Sequence, residues 1–226
     1  MKAKIQNQMV VLRRYATSKK INFSGKYSHM KILQNKIQNT HKIEQIMGLE
    51  GNAARIYFEG LSELVEPDFQ FERRNRRPPC DPFNAMLSFG YSILLSEIYG
   101  KLDAKGLNPY FGFIHQDREN HPTLASDLME EWRMVIVDST VLSLINGHEI
   151  FKDHFQAGDG GAIYLTSEGM KIFLRKLELK FRQEVKYLKY VEHPVSFRRA
   201  IELQINCFAH VLDENDIEAY EPIVIR

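Results

Sequence analysis

Helical periodicity runs through most of the sequence, and its clear interruption lies between residues 150 and 166. Asp81 followed by Pro82 predicts a helix start, because a carboxylate caps the first turn and proline fits the first helical position. That helix should run to Tyr99 and close at Gly100. In all, the pattern predicts helices over 4–15, 28–47, Asn52 to Leu64, 81–99, 122–145, 167–190 and 195–213.

The interruption has the composition of a turn between two short strands. Phe151–Phe155 and Ala162–Thr166 flank the sequence Gly-Asp-Gly-Gly at 158–161, which indicates a small β-hairpin. We therefore predict a mainly α fold, a helical bundle with at most a small β-hairpin near 150–166. A chain of 226 residues suits one domain. Within 1–226 we distinguish basic N-terminal helices (1–47), a central part that carries the candidate site (48–149), and the hairpin with the C-terminal helices (150–226).

Several classes of protein are disfavoured by what the sequence lacks. No apolar run approaches the roughly 20 residues of a membrane helix. Cys80 and Cys207 make neither a disulfide framework nor a cysteine-rich zinc site, which favours a reducing, cytoplasmic location. The sequence also lacks a Walker-type phosphate loop, a G-x-S-x-G nucleophile elbow and an H-E-x-x-H helix.

Charge is distributed unevenly, although the formal net charge is only +1. Residues 1–43 contain ten Lys and Arg and no Asp or Glu, whereas the remainder has 20 basic and 29 acidic residues. A one-sided block of this kind suggests contact with a polyanion. The alternative is a pair of solvated basic helices. A targeting peptide is disfavoured because the segment has no compact apolar core with a cleavage site.

Two further groups of basic residues are suited to a nucleic-acid backbone. The predicted loop at 66–80 is rich in arginine, and each cation that meets a phosphate releases counterions. The predicted helix 167–190 carries a basic stripe that includes Lys186 and Lys189. A solvated face is the alternative for this stripe. The candidates for phosphate contact are Arg55, Arg73, Arg74, Arg76, Arg77, Lys171, Arg175 and Arg182.

Carboxylates and one histidine form the candidate chemical site. Asp127 and Glu130 are spaced i, i+3 and should share one face of a helix, and Asp138 should return to nearly the same direction. Asp127 and Glu130, with Glu50 and His115, would provide ligands for a hard divalent cation that keeps positions open for phosphate oxygens. The alternatives are a solvated acidic stripe, a core histidine and a capping glutamate at position 50. Glu131 differs from Glu130 by one step of helix rotation, so either can face the site.

Four segments resemble the CRISPR-associated endonuclease and integrase that inserts new spacers, which we call the Cas-one family. They are EGNAAR (50–55), RRPPCDPFNA (76–85), GFIH (112–115) and LASDLMEEWR (124–133). The opening KIQNQ (4–8) and the closing YEP (220–222) also fit, so the resemblance covers nearly the whole chain.

The resemblance implies metal-dependent DNA cleavage and strand transfer, in which a 3′-hydroxyl attacks a phosphodiester. Family members bind Mg²⁺ or Mn²⁺ through residues that match Glu50, His115 and Glu130, with Asp127 as an assisting acid. The implied partners are double-stranded or branched DNA, a second copy in a homodimer and the Cas-two protein.

The family normally carries an N-terminal β domain, which this sequence does not include. We expect a catalytic helical domain that is an excised piece, a separately encoded half or a reduced relative. Two other functions stay open: a catalytically silent DNA-binding or assembly module, and an unrelated metallohydrolase that acts on small phosphoesters.

Overall fold

A computed structural model describes residues 1–114 and 121–225. The predicted mainly α fold is confirmed. In this part the helices are α1 (Lys2–Lys19), α2 (Ser24–Gln38), α3 (Ile43–Glu63), α4 (Pro82–Ala104), α5 (Thr123–Met129), α6 (Ser139–Asn146), α7 (Ser167–Arg182) and α8 (Phe197–Glu214). The strands are β1 (Phe155–Ala157), β2 (Ile163–Leu165), β3 (Glu184–Val185) and β4 (Val195–Ser196).

The first three helices pack against one another. Leu12, Met30 and Leu61 are fully buried between α1, α2 and α3. Helix α4 contacts α5, α6, α8 and β2. One hydrophobic core extends through both groups of helices. A residue that lies between the two groups is therefore held by packing on both sides.

The start of α4 agrees with the sequence, but its end does not. Asp81 Oδ1 accepts a hydrogen bond from the Asn84 amide at 2.7 Å, and Pro82 is the first helical residue. The helix continues through Gly100 to Ala104. Ile98 and Leu102 on either side are fully buried, and their packing outweighs the roughly 1 kcal/mol by which glycine disfavours a helix.

The boundaries of α2 and α3 also differ from the prediction. The predicted helix 28–47 is wrong, since α2 ends at Gln38 and α3 begins at Ile43. Helix α3 then continues through Gly48 and Gly51. Both glycines have open space where a side chain would lie, so neither reflects a turn or a close contact.

The predicted helix 122–145 is three segments. Helix α5 ends at Met129, a π-helical segment spans Met134–Asp138, and α6 follows. All five residues of the π-helical segment are buried. A π turn inserts a residue into the helical repeat, so the expected alignment of Asp138 with Asp127 is lost.

The predicted hairpin near 150–166 is confirmed: β1 and β2 pair antiparallel, with Phe155 opposite Leu165. A second small pair was not predicted. Strand β3 pairs with β4, so α7 ends at Arg182 and the predicted helix 167–190 is too long. Lys186 and Lys189 therefore lie outside α7.

Within residues 1–114 and 121–225, no helix combines the length and apolar character required to cross a membrane.

Candidate metal centre and adjoining cleft

Glu50 and Glu130 come together although 80 positions separate them in the sequence. Glu50 lies on α3 and Glu130 directly follows α5. Both carboxylates contact the ammonium of Lys4 on α1: Glu50 Oε1 and Glu130 Oε2 each lie 2.6 Å from Lys4 Nζ. The side chains of Lys4, Glu50 and Glu130 are only 10%, 14% and 6% exposed. Three helices therefore bring two acids onto one buried cation.

This acidic pair has the chemistry of a hard-cation site. The two oxygens share one nitrogen as a neighbour, so they are separated by at most twice the 2.6 Å contact distance. Carboxylate oxygens at this spacing suit Mg²⁺ or Mn²⁺. Among the described residues no group of three His, Cys, Asp or Glu gathers in metal-binding geometry. The predicted third ligand, His115, lies outside the described residues.

Asp127 fixes the backbone just before position 115. Its Oδ2 accepts hydrogen bonds from the amides of Phe113 at 2.6 Å and Ile114 at 2.9 Å. Gly112 makes this approach possible, because a Cβ there would lie 2.8 Å from Asp127 Oδ2 and 2.8 Å from the Thr123 carbonyl carbon. Asp127 therefore positions the segment that leads to His115, whatever further contacts it makes.

Glu131 points away from Glu50. Its carboxylate accepts hydrogen bonds from the Tyr220 hydroxyl at 2.7 Å and from the Ile223 amide at 3.0 Å. Burial raises the pKa of Glu131, and these hydrogen bonds oppose the shift. Of the two adjacent glutamates, Glu130 is the one that meets Lys4 and Glu50.

Two tyrosines and two arginines surround Asp138, an arrangement that the sequence did not predict. Asp138 accepts hydrogen bonds from the hydroxyls of Tyr57 at 2.7 Å and Tyr91 at 2.6 Å. The guanidinium carbons of Arg74 and Arg133 lie 5.5 and 5.0 Å from the centroid of the Tyr91 ring. Burial raises the pKa of Asp138, and the two tyrosines are the largest opposing influence.

Arg133 connects this group to the acidic pair. Its Nη1 lies 3.1 Å from Glu130 Oε1, on the carboxylate whose other oxygen contacts Lys4. The i, i+3 spacing of Glu130 and Arg133 in the sequence is one that predicts such an ion pair, because side chains three residues apart are neighbours on a helix. No sequence pattern joins Asp138 to Tyr57 or Tyr91, since both tyrosines lie on distant helices.

A cleft of about 960 Å³ is lined by Lys4, which contacts both acids of the pair, and by Asp138 and its tyrosine and arginine neighbours. The polar residues that line it include Lys4, Glu44, Arg74, Arg76, Arg77, Ser88, Tyr91, His121, Ser126, Arg133 and Asp138. Three of the four predicted loop arginines thus line the cleft beside the acidic pair.

The remaining predicted cations lie elsewhere on the described surface. Arg55 is exposed on α3 and pairs with Glu59, and Arg73 is exposed in the loop. Lys171, Arg175 and Arg182 are exposed on α7, outside the described lining of the cleft.

The basic stripe on α7 contains an acid. Glu178 Oε1 lies 2.7 Å from Arg182 Nε, and Glu178 Oε2 lies 2.9 Å from Arg198 Nη2. Hydrogen bonds from Arg198 and then Arg182 lower the pKa of Glu178 to about 2. This carboxylate offsets part of the positive charge on the face of α7.

Residues 1–179 match the family model described as CRISPR associated protein Cas1. A CRISPR-associated endonuclease Cas1 of Mycobacterium tuberculosis (strain CDC 1551 / Oshkosh) is 36% identical over 211 residues, which cover 93% of this chain and 62% of that protein.

Two solved structures share the fold. A casposase bound to integration product superposes with a TM-score of 0.85 at 26% identity, over 96% of this chain and 59% of that one. A Cas6-RT-Cas1–Cas2 complex gives a TM-score of 0.85 at 29% identity, over 98% of this chain and 24% of that one. The chain thus spans about three fifths of the length of the Mycobacterium relative. On the family match, the chain belongs to the Cas1 family of CRISPR-associated proteins.

Proposed function

We propose that residues 1–226 act as the helical catalytic domain of a divalent-metal-dependent DNA endonuclease and integrase of CRISPR adaptation. The observation that carries this proposal is the convergence of Glu50 and Glu130 on one buried cation at the edge of an arginine-lined cleft. The relatives named as Cas1 endonucleases and the casposase bound to integration product support the same reaction class.

Glu50 and Glu130 would hold Mg²⁺ or Mn²⁺, with His115 as the third ligand and Asp127 as the adjacent acid. The donor set fits, because two buried carboxylates already share one positive charge. A bound divalent cation supplies activation of a 3′-hydroxyl and neutralisation of charge on the transferred phosphate. Asp127 orients the backbone of Phe113 and Ile114, the last described residues before position 115.

The arginines of the cleft would hold the DNA backbone. Arg76 and Arg77 are exposed at its wall and are free to follow a phosphate chain by charge. Arg74 is more constrained, since its guanidinium donates to Asn84 Oδ1 at 2.8 Å and to Ser88 Oγ at 3.0 Å. The exposed cations outside the cleft would contact more distant phosphates: Arg55, Arg73, Lys171, Arg175 and Arg182.

The proposed substrate is double-stranded or branched DNA, and the proposed protein partners are Cas2 and a second copy of the chain in a homodimer. The Cas6-RT-Cas1–Cas2 complex supports Cas2 as a partner, because a chain of that complex shares this fold over 98% of the present chain.

One observation favours a second candidate function, a catalytically silent DNA-binding module. The charge of the acidic pair is balanced within the protein by Lys4 and Arg133, as it would be in a protein that uses no metal. Such a module would bind DNA with a strong dependence on salt and without a requirement for divalent cations.

Cleavage of a labelled branched DNA with Mn²⁺, Mg²⁺ or EDTA separates the two functions. We expect metal-dependent cleavage and strand transfer by the wild type, and a loss of about 10²- to 10³-fold in Glu50→Gln and Glu130→Gln, since ligand loss removes several kcal/mol of charge stabilisation. Glu63→Gln is the matched control, because Glu63 lies on α3 but pairs with Lys26 at the surface. Unchanged metal-dependent activity in both site variants would refute the proposal, and DNA binding without cleavage by the wild type would favour the silent module.

A further inference from the structure

Lys4 occupies the space between the two carboxylates. It lies in the first turn of α1 and is 8% exposed. Its Nζ donates to Glu50 Oε1 and contacts Glu130 Oε2, each at 2.6 Å. These acids come from α3 and from the end of α5, so the lysine ties three separate segments together.

Electrostatics explains why a cation is needed there. Two carboxylates in a buried site repel each other, and the repulsion is strong where solvent screens it poorly. The ammonium of Lys4 offsets this repulsion and keeps both oxygens directed at one point. The ammonium also occupies the position that a metal would take. A metal needs direct oxygen contacts at about 2.0–2.2 Å, so a metal and the ammonium cannot both lie between the carboxylates.

We propose that Lys4 is a positioning residue that holds Glu50 and Glu130 together in the metal-free chain and competes with a divalent cation for the space between their carboxylates. This inference rests on the proposed function. Binding of the metal requires the Lys4 ammonium to leave the space between the carboxylates. A lysine has a flexible four-carbon stem, and Lys4 already lines the cleft, so the displaced ammonium stays within reach of a phosphate held there.

The consequence is a coupling between metal and DNA. In the free chain the lysine weakens the affinity for metal. A DNA phosphate in the cleft gives the displaced ammonium a new partner and gives the metal a further oxygen ligand, so DNA should strengthen the retention of the metal. Loss of the Lys4 charge should remove the competition and tighten metal binding in the absence of DNA.

The test is Mn²⁺ binding to the full chain without DNA, measured by electron paramagnetic resonance of free Mn²⁺. We expect Lys4→Met to bind Mn²⁺ about tenfold more tightly than the wild type, because a competing charge is removed at contact distance. Lys2→Met is the matched control: it removes the same charge from the same helix, but Lys2 is exposed and donates to Gln38. Its Mn²⁺ affinity should stay within twofold of the wild type. Adding Glu50→Gln should weaken binding in either background, which places the Mn²⁺ at this pair.

The outcomes separate this inference from the proposed function. Equal or weaker Mn²⁺ binding by Lys4→Met, with clear binding by the wild type, would overturn the role of Lys4 and leave the metal site standing. Absence of binding in both proteins would overturn both proposals. Binding by Lys4→Met alone would support a competition strong enough to exclude Mn²⁺ from the free wild-type chain.

A measurement on the wild type covers the case in which Lys4→Met does not fold. Acetylation of lysines, followed by peptide mass spectrometry, reports the access of reagent to each side chain. We expect Lys4 to react more slowly than Lys2 in EDTA, and its rate to rise severalfold with Mg²⁺ while that of Lys2 stays constant. The same rate for Lys4 with and without saturating Mg²⁺ would overturn the inference.

Discussion

The carboxylate of Asp138 accepts hydrogen bonds from two tyrosines that come from different helices, Tyr57 on α3 and Tyr91 on α4. The ring of Tyr91 in turn lies close to the guanidinium groups of Arg74 and Arg133. Arg133 also contacts Glu130. Asp138 is therefore linked to the candidate metal centre through the side chains of Tyr91 and Arg133.

Replacement of Asp138 should destabilise the fold and displace the side chain of Arg133. An amide at position 138 offers one acceptor oxygen in place of two, so one buried tyrosine hydroxyl loses its acceptor. We expect Asp138→Asn to lower the free energy of unfolding by about 1–3 kcal/mol, as measured by urea denaturation. Asp103→Asn, at an exposed position on α4, should change it by less than about 0.5 kcal/mol. Equal stability of the two variants would mean that the Asp138 group contributes nothing to the fold.

The sequence predicted two acids of the candidate site but not the side chains that hold them. Glu50 and Glu130 were singled out as members of one site, and the structure brings them together. Lys4 was one of ten basic residues in a block read as a polyanion contact, so nothing marked it as the partner of two buried acids. Pairings of this kind depend on how helices pack, and a single sequence does not record that.

At the scale of the element, Gly90 determines how closely α4 approaches the π-helical segment. A Cβ at Gly90 would lie 2.5 Å from Val137 Cγ1 and 3.0 Å from Phe173 Cζ. Gly100, ten residues further along the same helix, has no atom within 4 Å of the corresponding position. The two glycines look alike in the sequence and differ only in their surroundings.

Alanine at these two positions should therefore have opposite effects. We expect Gly90→Ala to lower the free energy of unfolding by about 1–3 kcal/mol, because Val137 and Phe173 must move. Gly100→Ala should raise it by about 0.5–1 kcal/mol, since alanine favours a helix over glycine. Urea denaturation of both variants checks the pair. A stabilising Gly90→Ala would contradict the close packing of α4 against the π-helical segment.

Element boundaries show which sequence signals are dependable. Asp81 and Pro82 marked the start of α4 correctly, because capping is a local interaction between neighbouring residues. Gly100 was predicted to end a helix, and Gly48 and Gly51 fell outside the predicted helices, but all three glycines are helical. A single glycine reduces the stability of a helix so little that the packing of buried apolar neighbours decides whether the helix continues.

At the scale of the whole molecule, Asn7 on α1 closes the chain upon its own C-terminal segment. Its Nδ2 donates to the Ile223 carbonyl at 2.9 Å, and its Oδ1 accepts from the Ile225 amide at 3.0 Å. Glu131 also holds this segment, because its carboxylate accepts a hydrogen bond from the Ile223 amide. The opening and closing motifs that resembled the family are thus neighbours in space.

The overall class of fold could be predicted from periodicity, whereas the packing of helices at the candidate metal centre could not. Helix content and the hairpin follow from local patterns over 4–20 residues. The centre is assembled from α1, α3 and the end of α5, so it depends on contacts between residues up to 126 positions apart. The π-helical segment that sets the direction of Asp138 also has no signature in the periodicity.

The most direct test of the proposed metal centre is anomalous diffraction at the manganese edge from crystals of the chain grown with Mn²⁺. We predict an anomalous peak between the carboxylates of Glu50 and Glu130, with the Lys4 ammonium displaced from the position between them. A crystal that contains bound Mn²⁺ elsewhere, while Lys4 still bridges Glu50 and Glu130, would contradict the assignment of the metal centre.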